Sequence, residues 1–311
     1  MKPKTALLLL GLILPLFIFP LWQREFSLQM FKALGGKEEL VSPLARSHAS
    51  PQILGEVTTL ESRFDFGKMD ENENILAKGA FVYDLRDGRA ILEKNAFEPM
   101  SAASTIKIVT AAVALDKGKT DEKMTVNLFP TIVGESSQNL TVGEKFTLQE
   151  LLYGLLLVSG NDTAETIAQG IAGDRQTFID WMNDFAKKVG VRQTHFTTPS
   201  GLDEDNQYTT AYDLYLLGNY IFRRYPQLLT ISATREKYLS ENADHRSYLL
   251  KNKLLLWDAF PIVGGKAGEG EDKMLSLVAL IEKGKNHRLL VSIIQTPSLK
   301  HDLSQILKLS Q

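Results

Sequence analysis

The chain has 311 residues, 44% of them apolar and 23% charged, with a formal net charge of -2. That is enough to bury one sizeable core, or one core with a helical lobe, and the charge balance offers no basic field for nucleic acid. There are no cysteines, which excludes disulfides, thiol nucleophiles and cysteine-based zinc sites.

Lys2 and Lys4 precede an unbroken apolar run from Ala6 to Trp22. Charge followed by an apolar stretch is the form of an export signal. No small-x-small cleavage site closely follows Trp22, so the reading favours an uncleaved anchor over residues 1–23 rather than a cleaved signal peptide. Pro15 and Pro20 are tolerable in a membrane helix. With the lysines inside, the rest of the chain lies on the extracytoplasmic face of the membrane. Residues 24–74 are weakly periodic and contain Gly35-Gly36, Ser42-Pro43 and Ser50-Pro51, which reads as a stalk. Residues 75–311 then form the folded domain.

Ile75–Asp84 and Arg89–Lys94 are β-rich runs joined by Arg86-Asp87-Gly88, a hairpin signal. Ser104–Leu115 is small and apolar and reads as a buried helix ending near Gly118. Leu148–Val158 predicts a second apolar helix, broken by Ser159-Gly160-Asn161-Asp162, and a third runs from about Thr163 to Ile171. Arg175–Val189 is amphipathic and stops at Gly190. Thr209-Thr210 can cap a helix over Ala211–Arg224, with Pro226 following. Ile262–Lys266 predicts a strand. Leu275–Glu282 and Arg288–Gln295 predict a hairpin, and Leu299–Leu309 a terminal helix. Strands thus bracket a helical middle, which implies an α+β fold: an antiparallel sheet built from both ends, flanked by helices, with a helical subdomain inserted.

Three clusters carry chemistry. Ser104 and Lys107 stand at i and i+3, so their side chains can meet on one helical face. A serine needs a base to attack a carbonyl, and lysine is a base only when neutral. Burial and a second cation, for which Lys266 is the candidate, would both lower its pKa. Ser-x-x-Lys is common by chance, and what adds weight is its place after a hairpin at the start of an apolar helix. Ser159-Gly160-Asn161 lies between apolar helices, where the cluster by itself favours a plain connection with Asn161 or Asp162 capping the next helix. Lys266-Ala267-Gly268 follows Val263-Gly264-Gly265 at a strand end, where glycines permit close approach of a substrate backbone; a solvated lysine before a turn is the blander reading.

Taken together, these clusters and their surroundings resemble the serine D-Ala-D-Ala carboxypeptidases among the low-molecular-mass penicillin-binding proteins. The likeness runs from about Gly79 to Thr296. It includes Ala80-Phe81-Val82-Tyr83-Asp84, Ser101-Ala102-Ala103-Ser104-Thr105-Ile106-Lys107, Leu151-Leu152-Tyr153-Gly154, Thr194-His195-Phe196, Pro199-Ser200-Gly201-Leu202-Asp203 and Thr209-Thr210-Ala211-Tyr212-Asp213-Leu214. The resemblance implies a five-stranded antiparallel sheet with helices on both faces and a helical subdomain. It implies roles as well: Ser104 as nucleophile, Lys107 as its base, and Ser159 passing a proton to the departing D-alanine. Asn161 would hold the donor amide, and Lys266 with Ala267 and Gly268 would line the carboxylate end. The backbone N–H groups of Ser104 and Glu269 would form the oxyanion hole. It implies peptidoglycan stem peptides ending in D-Ala-D-Ala as substrates, β-lactams as inhibitors that acylate Ser104, and no metal or cofactor.

Two features depart from the family. Its third motif is normally Lys-Thr-Gly, and Ala267 lacks the hydroxyl that should bond the substrate carboxylate, with Glu269 and Glu271 placing acids nearby. Many members add a C-terminal β-rich domain and an amphipathic helix, where this sequence reads as one short helix after the last strand. Ala267 motivates an alternative, a weak or inactive peptidoglycan-binding scaffold; a D,D-endopeptidase would use the same residues. A class A-like β-lactamase is disfavoured because the window for its deacylating glutamate, Thr194–Ser200, holds no acid. No two of the histidines His48, His195, His245, His287 and His301 have helical ligand spacing. Arg235, Arg246 and Arg288 are candidate substitutes for the missing hydroxyl.

Overall fold

The computed structural model describes residues 74–202, 205–254, 256 and 258–309. The anchor expected over residues 1–23 and nearly all of the stalk expected over 24–74 lie outside the described residues. Among the described residues no helix is long and apolar enough to cross a membrane.

Five antiparallel strands form the main sheet: β1 (Gly79–Asp84), β2 (Arg89–Lys94), β7 (Ile262–Glu269), β8 (Leu275–Gly284) and β9 (His287–Thr296), in the order β2-β1-β9-β8-β7. Both chain ends of the domain feed this sheet, since β1 pairs with β9 from Gly79↔Ile294 to Asp84↔Leu289. Strand alternation divides the side chains between two cores. Ala80, Val82, Leu277, Ala279, Leu289, Val291 and Ile293 face an apolar cluster completed by Leu299, Leu303 and Ile306 of the terminal helix α8 (Leu299–Leu309). The buried Asp302 carboxylate ties α8 to the start of the sheet by accepting the N–H groups of Leu76 and Ala77 at 2.8 and 3.0 Å.

The opposite face packs on α6 (Ala211–Arg224). Phe81 meets Tyr212 and Tyr215 there, and Ser292 Oγ donates to the Ala211 carbonyl. Gly218 lets that helix come close: a Cβ on it would lie 2.8 Å from Val278 Cγ2. Thr210 caps α6 by accepting the Asp213 N–H, as Thr209-Thr210 predicts.

Between β2 and β7 stands the helical subdomain. It contains α1 (Lys107–Lys117), α2 (Leu128–Ile132), α3 (Leu148–Tyr153), α4 (Asn161–Ala172) and α5 (Arg175–Val189), with α6 and α7 (Pro226–Ser232) leading back to the sheet. Two small antiparallel strand pairs pin its surface: β3 (Lys123–Thr125) with β4 (Lys145–Thr147), and β5 (Glu236–Leu239) with β6 (Tyr248–Lys251). The expected architecture holds, with local differences. The segment carrying Ser104 opens as a 3-10 turn over Ala103–Ile106 before α1 begins. The helix expected over Leu148–Val158 is α3 followed by a π-helical turn over Gly154–Val158. Pro226 opens α7 instead of only ending α6, because a proline is well placed in a first helical turn.

Candidate active site

Ser104 sits in a turn pressed from two sides. Ala103 has φ +48°, a left-handed conformation that costs an alanine about 1 kcal/mol or more. A Cβ on Gly201 would lie 2.4 Å from the Ala103 carbonyl oxygen, so only glycine fits there, and its own φ of +79° also favours glycine. The loop carrying Gly201 is clamped from within: Gln207 Oε1 accepts the N–H groups of Thr197 and Thr198, and Thr198 Oγ1 accepts that of Gly201. Thr110 of α1 donates to the Pro199 carbonyl at 2.6 Å. On the other side lies Gly268 of β7, where a Cβ would stand 2.6 Å from Ser104 N. The open edge of β7 thus runs directly past the Ser104 amide.

One helical turn into the protein, Lys107 is fully buried. Its Nζ lies 2.8 Å from Ser104 Oγ and donates to Asn161 Oδ1 at 2.7 Å. Burial pushes the Lys107 ammonium well below its ordinary range, and the charges of Lys266 and Lys253 push it further down; Glu135 and Asp162 oppose this. Lys266 is itself buried and is lowered to about 7, by burial first and then by Lys253. The effect of Lys266 on Lys107 is the one its sequence position suggests.

Asn161 belongs to α4, and its neighbours set its pose. Its N–H donates to the Ser136 carbonyl at 2.7 Å and its Nδ2 to the Gly134 carbonyl at 3.1 Å. Asp162 is buried and tied to the same loop, accepting from the N–H groups of Gln138, Leu140 and Thr163 and from Ser137 Oγ. The capping role open for Asp162 is thus part of a larger clamp. Gly154 makes room for this loop, since a Cβ there would overlap the Gln138 side chain. The π-helical turn then delivers Ser159 in a left-handed conformation, φ +62°. Ser159 is buried at the cleft, but the hydrogen bonds of Lys107 go to Ser104 and Asn161, not to it.

In β7, Lys266 and Gly268 share one face by strand alternation. Ala267 lies on the other, half-buried against the apolar cluster. Glu269 is exposed at the end of the strand. The three arginines have other partners: Arg235 pairs with Asp258, Arg246 with Tyr248 and Glu144, and Arg288 with Glu282. His195 holds the 195–208 loop through its ring contact with the Asn206 carbonyl.

Lys253 escapes a reading of the sequence. It is exposed at the cleft mouth, donates to Ser136 Oγ at 3.1 Å, and its N–H donates to the Leu157 carbonyl of the π-helical turn. A buried relay places it near Lys266: Asn252 Nδ2 donates to the Ser232 carbonyl, and Ser232 Oγ accepts the Gly265 N–H. Nothing local in the sequence ties Lys253 to Lys266.

Residues 67–298 match the sequence profile of the D-alanyl-D-alanine carboxypeptidases, peptidase family S11. The chain belongs to this family. It is 31% identical over 238 residues to the D-alanyl-D-alanine carboxypeptidase DacF of Bacillus subtilis, an overlap covering 75% of this chain and 61% of that protein. The chain therefore spans less than two thirds of that relative's length. Among solved structures it resembles a D-alanyl-D-alanine carboxypeptidase from Mycobacterium tuberculosis, with TM-score 0.70, 26% identity, and coverage of 78% of this chain and 94% of that one. It also resembles the Streptomyces K15 DD-transpeptidase, with TM-score 0.68, 26% identity, and coverage of 76% and 96%. These likenesses agree with the five-stranded sheet and its flanking helices.

Proposed function

We propose that the chain is a serine D,D-carboxypeptidase that removes the terminal D-alanine from peptidoglycan stem peptides through an acyl-enzyme on Ser104, and that β-lactams acylate the same serine. The observation that carries this reading is Lys107, buried between Ser104 Oγ and Asn161 Oδ1, both neutral oxygens. A lysine without a carboxylate at hydrogen-bonding distance can shed its proton, and its lone pair then faces the serine hydroxyl. Ser104 Oγ forms a bond to the carbonyl carbon as its proton passes to Lys107. The oxyanion that develops lies against the Ser104 N–H and that of Glu269. The C–N bond breaks as Ser159 relays a proton to the leaving amine, and water then hydrolyses the ester. Asn161 orients the donor amide, and Lys266, with the adjoining Ala267 and Gly268, receives the substrate carboxylate.

Residues 75–311 form the catalytic domain of this proposal. The apolar run after Lys2 and Lys4 supports N-terminal attachment, with catalysis on the extracytoplasmic face of the membrane. Ala267 gives the inactive-scaffold reading its motive; the geometry at Lys107 favours an enzyme.

The test is covalent labelling of the full chain by a fluorescent penicillin, with D-alanine release from a D-Ala-D-Ala peptide measured in parallel. Ser104→Ala abolishes both. Unchanged labelling of that variant would remove the nucleophile assignment.

A further inference from the structure

The peptide group between Ala103 and Ser104 is gripped at both ends. A Cβ on Gly201 would lie 2.4 Å from the Ala103 carbonyl oxygen and 2.8 Å from its carbon, and a Cβ on Gly268 would lie 2.6 Å from the Ser104 nitrogen. A peptide is planar and trans, so its carbonyl and its N–H point in opposite directions and turn together. Whatever fixes the Ala103 carbonyl therefore also aims the Ser104 N–H, one of the proposed oxyanion donors. That aim is not the backbone's own preference. Ala103 stands at φ +48°, a left-handed conformation that an L-residue such as alanine populates about tenfold less than its relaxed alternatives. The surroundings must hold it there, and at the carbonyl end the surroundings are the backbone at Gly201.

Gln207 sets the position of Gly201. Its Oε1 accepts the N–H groups of Thr197 and Thr198 at 3.2 and 3.0 Å and the Thr198 hydroxyl at 3.1 Å, while its Nε2 donates to the Leu202 carbonyl at 2.6 Å. Because the Thr198 hydroxyl gives its proton to Gln207, its lone pairs are free to accept the Gly201 N–H at 2.9 Å. The result is a directed relay from Gln207 through Thr198 to Gly201. Its origin stands on the same frame as the Ser104 turn. Gln207 leads into Tyr208 and Thr209, which bridge to His195 and to Met100, and Met100 leads into the turn. Thr110 of α1 holds the middle of the loop through the Pro199 carbonyl. The bonds of Gln207 go to this loop and not to Ser104 or Lys107.

We propose that Gln207 is a positioning residue: through Thr198 and Gly201 it holds the Ala103–Ser104 peptide in its left-handed orientation and so keeps the Ser104 N–H turned toward the developing oxyanion. The inference rests on the reading of Ser104 as nucleophile. It adds to that reading a neutral residue that acts on the reaction only through others.

A double-mutant cycle on the full-length protein tests it, read as the second-order rate constant for acylation by a fluorescent penicillin, with thermal melting as the check on folding. Gln207→Met removes the carboxamide at similar volume, and Thr198→Val removes the hydroxyl alone. Each should slow acylation about tenfold, the population cost of a left-handed alanine. Ala103→Gly removes that cost, because glycine adopts a positive φ freely. In the Ala103→Gly background the same two substitutions should therefore slow acylation by less than about threefold. Thr198→Ser keeps the hydroxyl and should restore the unsubstituted rate. A loop that serves stability alone gives another pattern: melting falls, and any loss of rate is the same in both backgrounds. Losses that do not depend on Ala103→Gly, or no loss in either variant, would overturn the proposal. If Gln207→Met does not fold, Thr198→Val and Thr198→Ser decide the matter between them. Absence of labelling in the unsubstituted protein would refute the nucleophile and this proposal with it, whereas labelling that is indifferent to Gln207 and Thr198 would refute the positioning role alone.

Discussion

Adding one methyl group at Gly268 tests the geometry on which the site depends. The new Cβ would stand 2.6 Å from Ser104 N, 3.0 Å from Thr105 N and 3.1 Å from Ala103 Cβ. Ordinary contact begins at 3.4 Å, so the gap between β7 and the nucleophile turn must widen by about 0.8 Å, the difference between 3.4 and 2.6 Å. The two nearest neighbours are backbone atoms, which have no rotamer in which to escape. β7 is held from behind by its pairing with β8 at Gly268↔Ser276 and by the Gly265 N–H bond to Ser232. Overpacking of this kind costs about 1–3 kcal/mol of stability. Displacement of the proposed oxyanion donors by nearly 1 Å should lower the rate by about 100-fold. Gly284→Ala is the matched control, since nothing lies within 4 Å of a Cβ there. The assay is the second-order rate constant for acylation by a fluorescent penicillin, with thermal melting as the check on folding. Gly268→Ala should acylate about 100-fold more slowly while Gly284→Ala does not change. A Gly268→Ala protein acylated within about threefold of the unsubstituted rate would refute the tight approach of β7 to Ser104.

Two further outcomes follow from the lysines and from Ala267. In the proposed reaction Lys107 must be neutral to act and Lys266 charged to bind a carboxylate, so kcat/KM for a D-Ala-D-Ala peptide should rise as Lys107 loses its proton and fall as Lys266, at about 7, loses its own. Lys253→Met removes a positive charge that lowers both pKa values, so both limbs of the pH profile should move to higher pH; an unmoved profile would show that Lys253 does not act on the site. Ala267→Thr should raise kcat/KM by about tenfold or more, because a hydrogen bond to a charged group contributes about 1.5–3 kcal/mol. The methyl of threonine can keep the apolar contacts of Ala267 while its hydroxyl turns to the cleft edge, and an unchanged kcat/KM would acquit Ala267 as a handicap.

Local rules explain why parts of this molecule are readable from its residues. Arg175–Val189 forms the helix that its periodicity and Gly190 predict, with Asp174 adding an N-cap. The near-continuous apolar runs of β1, β8 and β9 announce strands because each has two buried faces. The small strand pairs do not announce themselves: β3 and β4 are three residues each, too short for a period to register. The π-helical turn is equally silent, since Gly154–Val158 is as apolar as the helix before it. At its start, Gly154 leaves the space that the Gln138 side chain fills, a tertiary contact no local pattern announces. In the site, the pairing of Ser104 with Lys107 follows from helical spacing. The arrival of Asn161 and Lys266 rests on likeness to a family, because contacts across 54 residues have no local signature. Lys253 had neither kind of signal.

Asp162 illustrates how a residue away from the reacting atoms protects their chemistry. It follows Asn161 directly, is buried, and its charge raises the proton affinity of Lys107. A free carboxylate within reach of a buried lysine would form an ion pair and hold the amine protonated, leaving Ser104 without a base. Here both carboxylate oxygens are engaged by donors from the 137–140 loop and from Thr163. Those bonds satisfy the charge locally and direct it away from Lys107, whose own donor bond goes to the neutral Asn161 amide. The same loop supplies the Gly134 and Ser136 carbonyls that orient Asn161. One short connection therefore sets the pose of Asn161 and occupies the acid beside it. Burial and the neighbouring lysines can then keep Lys107 neutral, as the proposed acyl transfer requires.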